Sequence, residues 1–355
     1  MPLRPPNNAA FLTGHTIKPL SITSTEDRYP NENELVIRTR AVAINQIDWK
    51  MQFTPWTTFN YPLILGVDVA GEVVHVGSEV GDKGTFAIGD RVLGHALRLA
   101  TEDDRHAGFQ EYAVLWDNMA ARIPESVGVE QAAVLPLGVS TAAAGLFQEK
   151  TLNLGLPRLS PVSQGSRTVL VWGGTSSVGG NAIQLAVAAG YDVIATASKR
   201  NFDTVKRLGA IIVIDYSSAT VVEDLKKAFS GRKLAGAFDA IGKEESLKPV
   251  LEAVSQMDGV KKVVSTTDWV NDDLVPPGIE ATAIMAIDIR GEDGEDRDET
   301  VGKKVYGNFL YKALEAGKYQ IYPEPWVVGA GLGSIQDALD RASKDPKGKK
   351  VVVTI

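Results

Sequence analysis

The 355-residue chain contains no cysteine. That absence excludes disulfides, thiolate nucleophiles and every cysteine-ligated zinc site. Histidine is nearly as scarce: His15, His75, His95 and His106 are the four present, and no two are spaced as a metal-ligand pair such as HxxxH. Basic residues fall short of acidic ones, 37 against 44, for a net charge of −7. A general nucleic-acid binder needs a basic surface to meet phosphates, so that class is set aside. No apolar run reads as long enough for a membrane span. The start, MPLRPPNNAAF, lacks the apolar centre of a signal peptide. A cytoplasmic enzyme is the expectation, and the length calls for two domains with full-sized cores.

What is present centres on residues 168–198, TVLVWGGTSSVGGNAIQLAVAAGYDVIATAS. An apolar run meets a Gly-rich turn, a helical pattern follows, and a second apolar run closes the unit. Strand, turn, helix and strand in this order place a pyrophosphate over a helix N-terminus. The turn reads G-G-T-S-S-V-G rather than G-x-G-x-x-G, with Ser176 and Ser177 where another glycine would sit. A packing turn in some other α/β domain would also use glycine, but the order of elements favours nucleotide binding. Thr175 and the two serines add hydroxyl donors for phosphate oxygens.

The end of the second strand bears on which nucleotide. NAD-binding units place an acid there for the ribose 2′-OH. This chain has Ser198-Lys199-Arg200-Asn201 instead. A carboxylate would repel a 2′-phosphate, whereas these four groups would hold one, so NADPH is expected. Lys199 and Arg200 have a plainer reading as a solvated helix start.

Along the chain, residues 10–43 read as short strands, residues 35–43 as a half-buried one. Asn45-Gln46-Ile47-Asp48-Trp49-Lys50 reads as a turn or first helical turn, and a loop-like stretch with Pro55 and Pro62 follows. Further strands at 66–74, 89–93 and 109–114 make an all-β section, a compact barrel or two packed sheets. Residues 129–147 are Ala-rich and helical, interrupted by Pro136-Leu137-Gly138. Beyond the central unit, strands at 211–214, 237–241 and 262–266 alternate with helices at 203–208, 223–230 and 247–254. Such alternation means a doubly wound parallel sheet. Residues 281–289 suggest one more strand near a sheet edge, 291–300 an acidic solvated segment, 304–316 and 334–342 helices, and 350–355 a closing strand.

With these residues assembled, the chain resembles the medium-chain dehydrogenase/reductase superfamily over nearly its whole length. Asn45 to Lys50 is similar to its N-x-x-D-x-K segment, Gly66 to Gly71 to its G-x-D-x-x-G strand, and Gly89-Asp90-Arg91-Val92 to its GDRV turn. Pro136 to Ala142 looks like the helix entry facing the nicotinamide. The resemblance implies a GroES-like β-rich catalytic domain (1–128 and 305–355) and a Rossmann NADPH-binding domain (129–304). Where zinc-dependent members hold catalytic zinc, this chain has Asn45, Val67 and Leu137, which implies the zinc-free branch. Within it, the hydroxyl-rich turn, Asn201-Phe202-Asp203, Tyr216 and the tail Trp326-Val327-Val328-Gly329 look like the fungal trans-acting enoyl reductases of polyketide biosynthesis.

The implied reaction is hydride transfer from NADPH to the β-carbon of an α,β-unsaturated acyl thioester carried on a polyketide synthase, by a monomer or homodimer. A quinone or enone reductase with small soluble substrates, and a non-enzymatic NADPH-binding protein, stand as alternatives. The implied site puts Lys50 and Thr141 by the nicotinamide and ribose hydroxyls, Asn45 and Asp48 orienting that corner, and Tyr61 as proton donor. Lys50 read in isolation is a plain surface lysine, and Thr141 is equally a helix-packing residue. Asp48 is equally a stabiliser of its own turn, Tyr61 beside Pro62 more often a packing aromatic, and residues 284–288 alternatively an interior or subunit-contact strand. Thr175, Ser176, Ser177 and Val178 would meet the pyrophosphate. Ser198, Lys199, Arg200, Asn201 and Tyr216 would surround the 2′-phosphate and adenosine, and Val264 and Ser265 would lie beside the nicotinamide. Leu137, Gly138, Ile284, Met285 and Asp288 are the acyl-chain candidates.

Overall fold

The computed structural model describes residues 7–53, 60–292, 295–344 and 348–355. The loop proline Pro55, residues 1–6 and positions 293–294 of the acidic segment lie outside the described residues. The chain divides into two compact units: Met1–Leu137 with Tyr306–Glu315 and Ile321–Ile355, and Gly138–Val305 with Ala316–Gln320.

The first unit is β-rich. Its strands are β1 (Asn7–Leu12), β2 (Ser21–Thr25), β3 (Glu34–Ala43), β4 (Leu63–Ile64), β5 (Asp68–Val76), β6 (Arg91–His95), β7 (Tyr112–Trp116) and β8 (Ala120–Arg122). Two C-terminal strands, Pro325–Ala330 and Lys350–Thr354, join them. One sheet runs β2-β1-β4. The other runs Pro325–Ala330, Lys350–Thr354, β3, β5, β6, β8, with β7 also on β3. Two sheets were the expectation, but β3 is buried almost throughout rather than half-buried. It pairs with β5 along one flank, while β7 and Lys350–Thr354 share the other. Leu35, Ile37, Val42, Val69, Val73 and Leu115 fill the core, closed by Ile335 and Leu339 of the helix Ile335–Ala342.

The second unit holds β9 (Arg167–Trp172), β10 (Asp192–Ala197), β11 (Ile212–Asp215), β12 (Lys233–Asp239), β13 (Lys262–Ser265) and β14 (Glu280–Ala283). Their order is β11-β10-β9-β12-β13-β14, and every pairing is parallel. This is the 3-2-1-4-5-6 order of the Rossmann fold, with its switch point between β9 and β12. The strands are near-continuous apolar runs because helices cover a parallel sheet on both faces. The helices Ser177–Ala188, Phe202–Arg207, Val221–Ala228 and Glu244–Ser255 do so here.

Several local expectations change. Of the two readings for residues 45–50, the helical one holds, and the helix runs on to Phe53 (Gln46–Phe53). Pro136 does not interrupt a helix; it begins one, Pro136–Phe147, after Val129–Ala132 ends. Proline suits that first position because the N–H it lacks would have no intrahelical partner. The two helices of Val129–Phe147 taken together are long and apolar enough to cross a membrane by length and composition alone, with mean hydropathy 1.2. Of that window 72% is buried inside the protein, as in a core helix. Residues 281–289 split: β14 stops at Ala283 and Ala286–Arg290 is a 3-10 turn. Lys303–Leu310 is wound as a π-helix before Tyr311–Glu315.

Candidate functional site

The turn after β9 is shaped by close approach. Gly173 has φ of 82°, a value that favours glycine, and Ile241 fills the space where its Cβ would go, 2.6 Å away. A Cβ on Gly179 would lie 2.2 Å from the Gly173 carbonyl oxygen, so glycine there lets the helix pack onto the strand end. Ser176 occupies the position of the missing glycine and is the N-cap of Ser177–Ala188. Its Oγ accepts from the Gly179 amide at 2.9 Å and donates to the Gly173 carbonyl at 3.0 Å. The serine thus stabilises the helix start that a glycine would leave uncapped. The Ser177 hydroxyl oxygen is buried with no hydrogen-bond partner among the described residues, a donor left for a ligand oxygen. With the helix dipole and a helix N-terminus whose first amides lack intrahelical acceptors, this cradle fits a pyrophosphate. Thr175 and Val178 flank it, half-buried.

At the end of β10, the Asn201 carboxamide donates to the Ser198 hydroxyl at 3.0 Å, and Lys199 and Arg200 are exposed. The Lys199 ammonium reaches 3.8 Å from Asp215, the last residue of β11. The hydroxyl and amide of Ser217 hold the Asp215 carboxyl below its ordinary range. Tyr216 is exposed beside it. Val264 and Ser265 are buried at the carboxyl end of β13, and the Ser265 hydroxyl donates to Asp239 at 2.8 Å. Asp239 escaped sequence analysis, although an acid closing the apolar run Leu234–Phe238 was its signal.

The first unit contributes a buried polar corner. Asn45 Nδ2 donates to Asp68 Oδ2 at 2.9 Å, and the Lys350 ammonium lies 3.1 Å from the same oxygen while also donating to Asn45 Oδ1. The other Asp68 oxygen accepts from the Leu137 amide at 2.6 Å, in the first turn of Pro136–Phe147. A carboxylate there complements the helix dipole and uses an amide that has no intrahelical partner. Asp48 accepts from the amides of Asn45 (2.7 Å) and Gly66 (3.2 Å). Burial, reinforced by the Asp68 charge, pushes its pKa up to about 7. His95, facing Asp68 across the β5–β6 ladder, is pushed down to about 4 by burial against the opposing pull of Asp68. Lys350 went unseen and His95 stood out only as one of four scattered histidines, because both meet this corner only through strand pairing; Asp68 was visible only as the acid of G-x-D-x-x-G.

Lys50 is exposed on its helix, and Tyr61 packs against the first unit's core. Val67 is buried. In the second unit Thr141 is buried, at 8% exposure. A Cβ on Gly138 would lie 2.6 Å from both Ser177 Oγ and Asn181 Nδ2, so this glycine sits at a helix-to-helix contact. Ile284 is buried, whereas Met285 is 60% exposed. Asp288 pairs with Lys150 at 3.0 Å on the wall of a cavity of about 480 Å³ that Arg290 also lines. That cavity includes none of the strand-end residues described above.

Phosphate cradle, switch point and all-parallel order make the second unit a dinucleotide-binding fold. Residues 31–125 match the alcohol dehydrogenase GroES-like domain and residues 177–271 the zinc-binding dehydrogenase domain. The chain is similar to dehydrogenase azaJ of Aspergillus niger, 41% identical with 99% of each chain covered. It is similar also to trans-enoyl reductase himH of Aspergillus japonicus, 38% identical over 98% of this chain and 97% of that one. Among solved structures, an alcohol dehydrogenase superfamily protein from Novosphingobium aromaticivorans superposes with a TM-score of 0.77 at 25% identity, covering 98% and 99%. The chain belongs to the medium-chain dehydrogenase/reductase superfamily, and it is an oxidoreductase of that superfamily.

Proposed function

We propose that the protein is an NADPH-dependent, zinc-independent trans-acting enoyl reductase that reduces α,β-unsaturated acyl thioesters carried on a polyketide synthase. The observation that carries this reading is the end-to-end likeness to himH, a protein named as a trans-enoyl reductase. NADPH, when bound, supplies the hydride that goes to the β-carbon of the acceptor. Ser176, Ser177 and Val178 hold the pyrophosphate at the helix N-terminus, with Thr175 beside them. Ser198, Lys199, Arg200 and Asn201 hold the 2′-phosphate, and Tyr216 flanks the adenosine. Lys199 and Arg200 outweigh the single charge of Asp215, so the strand ends favour a doubly charged phosphate over a bare hydroxyl.

Lys50 and Thr141 orient the nicotinamide ribose, and Tyr61 delivers the proton to the α-carbon. Leu137, Gly138, Ile284, Met285 and Asp288 receive the acyl chain. Zinc independence is supported by the engagement of the Asn45 carboxamide with Asp68 and Lys350. The test is NADPH oxidation against a panel of enoyl thioesters, free enones and quinones, repeated after chelation. Thioester turnover well above that of the free acceptors is the expected result. Faster turnover of quinones or free enones, or loss of activity with chelator, would overturn the corresponding part.

A further inference from the structure

Asp239 ends β12, next to the switch point, and has no solvent exposure. In register it faces Trp172, the last residue of β9, on one side and Ser265, the last of β13, on the other. Its carboxylate receives four hydrogen bonds: from the hydroxyls of Ser265 (2.8 Å) and Ser246 (3.0 Å), and from the amides of Ile241 (3.1 Å) and Gly242 (3.3 Å). Burying a carboxylate is costly, and burial pushes this one up in pKa against the pull of all four donors.

The bonds fix two turns at once. Ser265, while donating to Asp239, accepts from the Thr267 amide at 3.3 Å and so shapes the exit from β13. Gly242, at φ of 68°, leaves no room for a Cβ, which would lie 2.7 Å from the Thr266 carbonyl carbon and the Thr267 amide nitrogen. The turn leaving β12 therefore lies flat against the turn leaving β13. It also reaches the phosphate cradle, where Ile241 covers Gly173 and the Ala240 amide donates to the Trp172 carbonyl at 3.0 Å. In a 3-2-1-4-5-6 sheet each half receives one mononucleotide beyond its carboxyl edge. Here β9 to β11 carry the candidate 2′-phosphate groups, which leaves the β12 and β13 turns to the other half.

We infer that Asp239 positions the nicotinamide half of the cofactor by locking together the turns that leave β12 and β13. The inference rests on the dinucleotide reading above. Asp239 is a positioning residue: being buried, it acts through Ser265, Ile241 and Gly242. An asparagine in its place keeps the shape but offers one acceptor oxygen where the carboxylate offers two.

The experiment compares NADPH with ADP-ribose 2′-phosphate, which lacks only the nicotinamide, by titration calorimetry. NADH and ADP-ribose are run in parallel. Asp239→Asn is expected to weaken NADPH binding about tenfold, the scale of one lost charge-assisted hydrogen bond, with under about twofold change for the nicotinamide-free ligand. The emission of bound reduced nicotinamide should move toward that of the free cofactor. Ser265→Ala, which leaves the carboxylate and its amide bonds in place, should shift the same ratio in the same direction by about threefold. Equal weakening of both ligands would reduce Asp239 to scaffolding and overturn the inference, as would no change in either. If Asp239→Asn does not fold, an unchanged ratio in Ser265→Ala overturns it instead. A wild type that binds neither pair removes the dinucleotide reading and the inference together. One that prefers NADH removes only the NADPH reading, and the ratio is then decided on NADH.

Discussion

Asp48 and His95 occupy the same buried corner and titrate in opposite senses. The Asp48 carboxyl, raised to about 7, binds a proton in the folded state that it has already released, above its ordinary 3.8, when unfolded. Its contribution to stability is present at low pH and is lost as pH rises from about 4 to 7. His95, lowered from 6.5 to about 4, does the reverse, so its contribution grows as pH rises between those values. At 1.36 kcal/mol per pH unit, each is worth about 3–4 kcal/mol across its window. In the wild type the two largely offset each other between pH 4 and 6.5. Denaturant unfolding over a pH series should show Asp48→Asn gaining on the wild type from pH 4 to 7, and His95→Gln falling behind it from pH 4 to 6.5. Parallel curves would mean that neither group titrates as its burial requires. Neither shift was legible in the sequence, because desolvation comes from the sheets that close around the corner. At the surface, by contrast, Lys199→Glu should cut NADPH affinity at least about tenfold while changing NADH affinity little, since only the former brings a 2′-phosphate to that strand end. Equal affinities for both cofactors in wild type and variant would remove Lys199 from the phosphate site.

At the level of the element, the βαβ stretch 168–198 was readable because each signal in it is local. Apolar strand residues, glycines in the turn and the helical period all lie within thirty-one consecutive positions. The oddity of the motif, serine for glycine at Ser176, makes sense once its hydroxyl is seen capping the helix. Gly179 shows what glycine is for in this turn. Gly179→Ala would drive a methyl group into the Gly173 carbonyl, so helix and strand must separate, at a cost of roughly 1–3 kcal/mol. A fall of several degrees in melting temperature and loss of dinucleotide binding are expected. An alanine variant with wild-type melting and affinity would show that the turn opens freely. Pro136 teaches the complementary lesson: read as a break, it is a start, because proline is excluded from a helix interior but not from its first turn.

Over the whole molecule, the first unit draws on both ends of the chain. Lys350–Thr354 lies between Pro325–Ala330 and β3, and Val351, Val352 and Val353 are buried. Ending the chain at Lys349 would expose or leave unfilled three valine sites worth about 1.5–3 kcal/mol each. It would also leave the buried Asp68 without its cation, worth about 3–5 kcal/mol. That sum is comparable to the whole stability of a typical domain, about 5–15 kcal/mol. The truncated chain should therefore lose the first unit's unfolding transition in calorimetry, and a truncation that melts like the full chain would sink this account.

The sequence by itself determined the class of fold, the place of the Gly-rich turn after β9 and the superfamily, because these rest on periodicity, glycine placement and short motifs that neighbouring residues carry. Only the tertiary structure decided which distant residues share a site. Lys350 meets Asn45 across 305 positions, and Asp239 meets Ser265 through parallel register. Contacts of that kind are made by strand pairing and burial, which no local stretch of sequence contains.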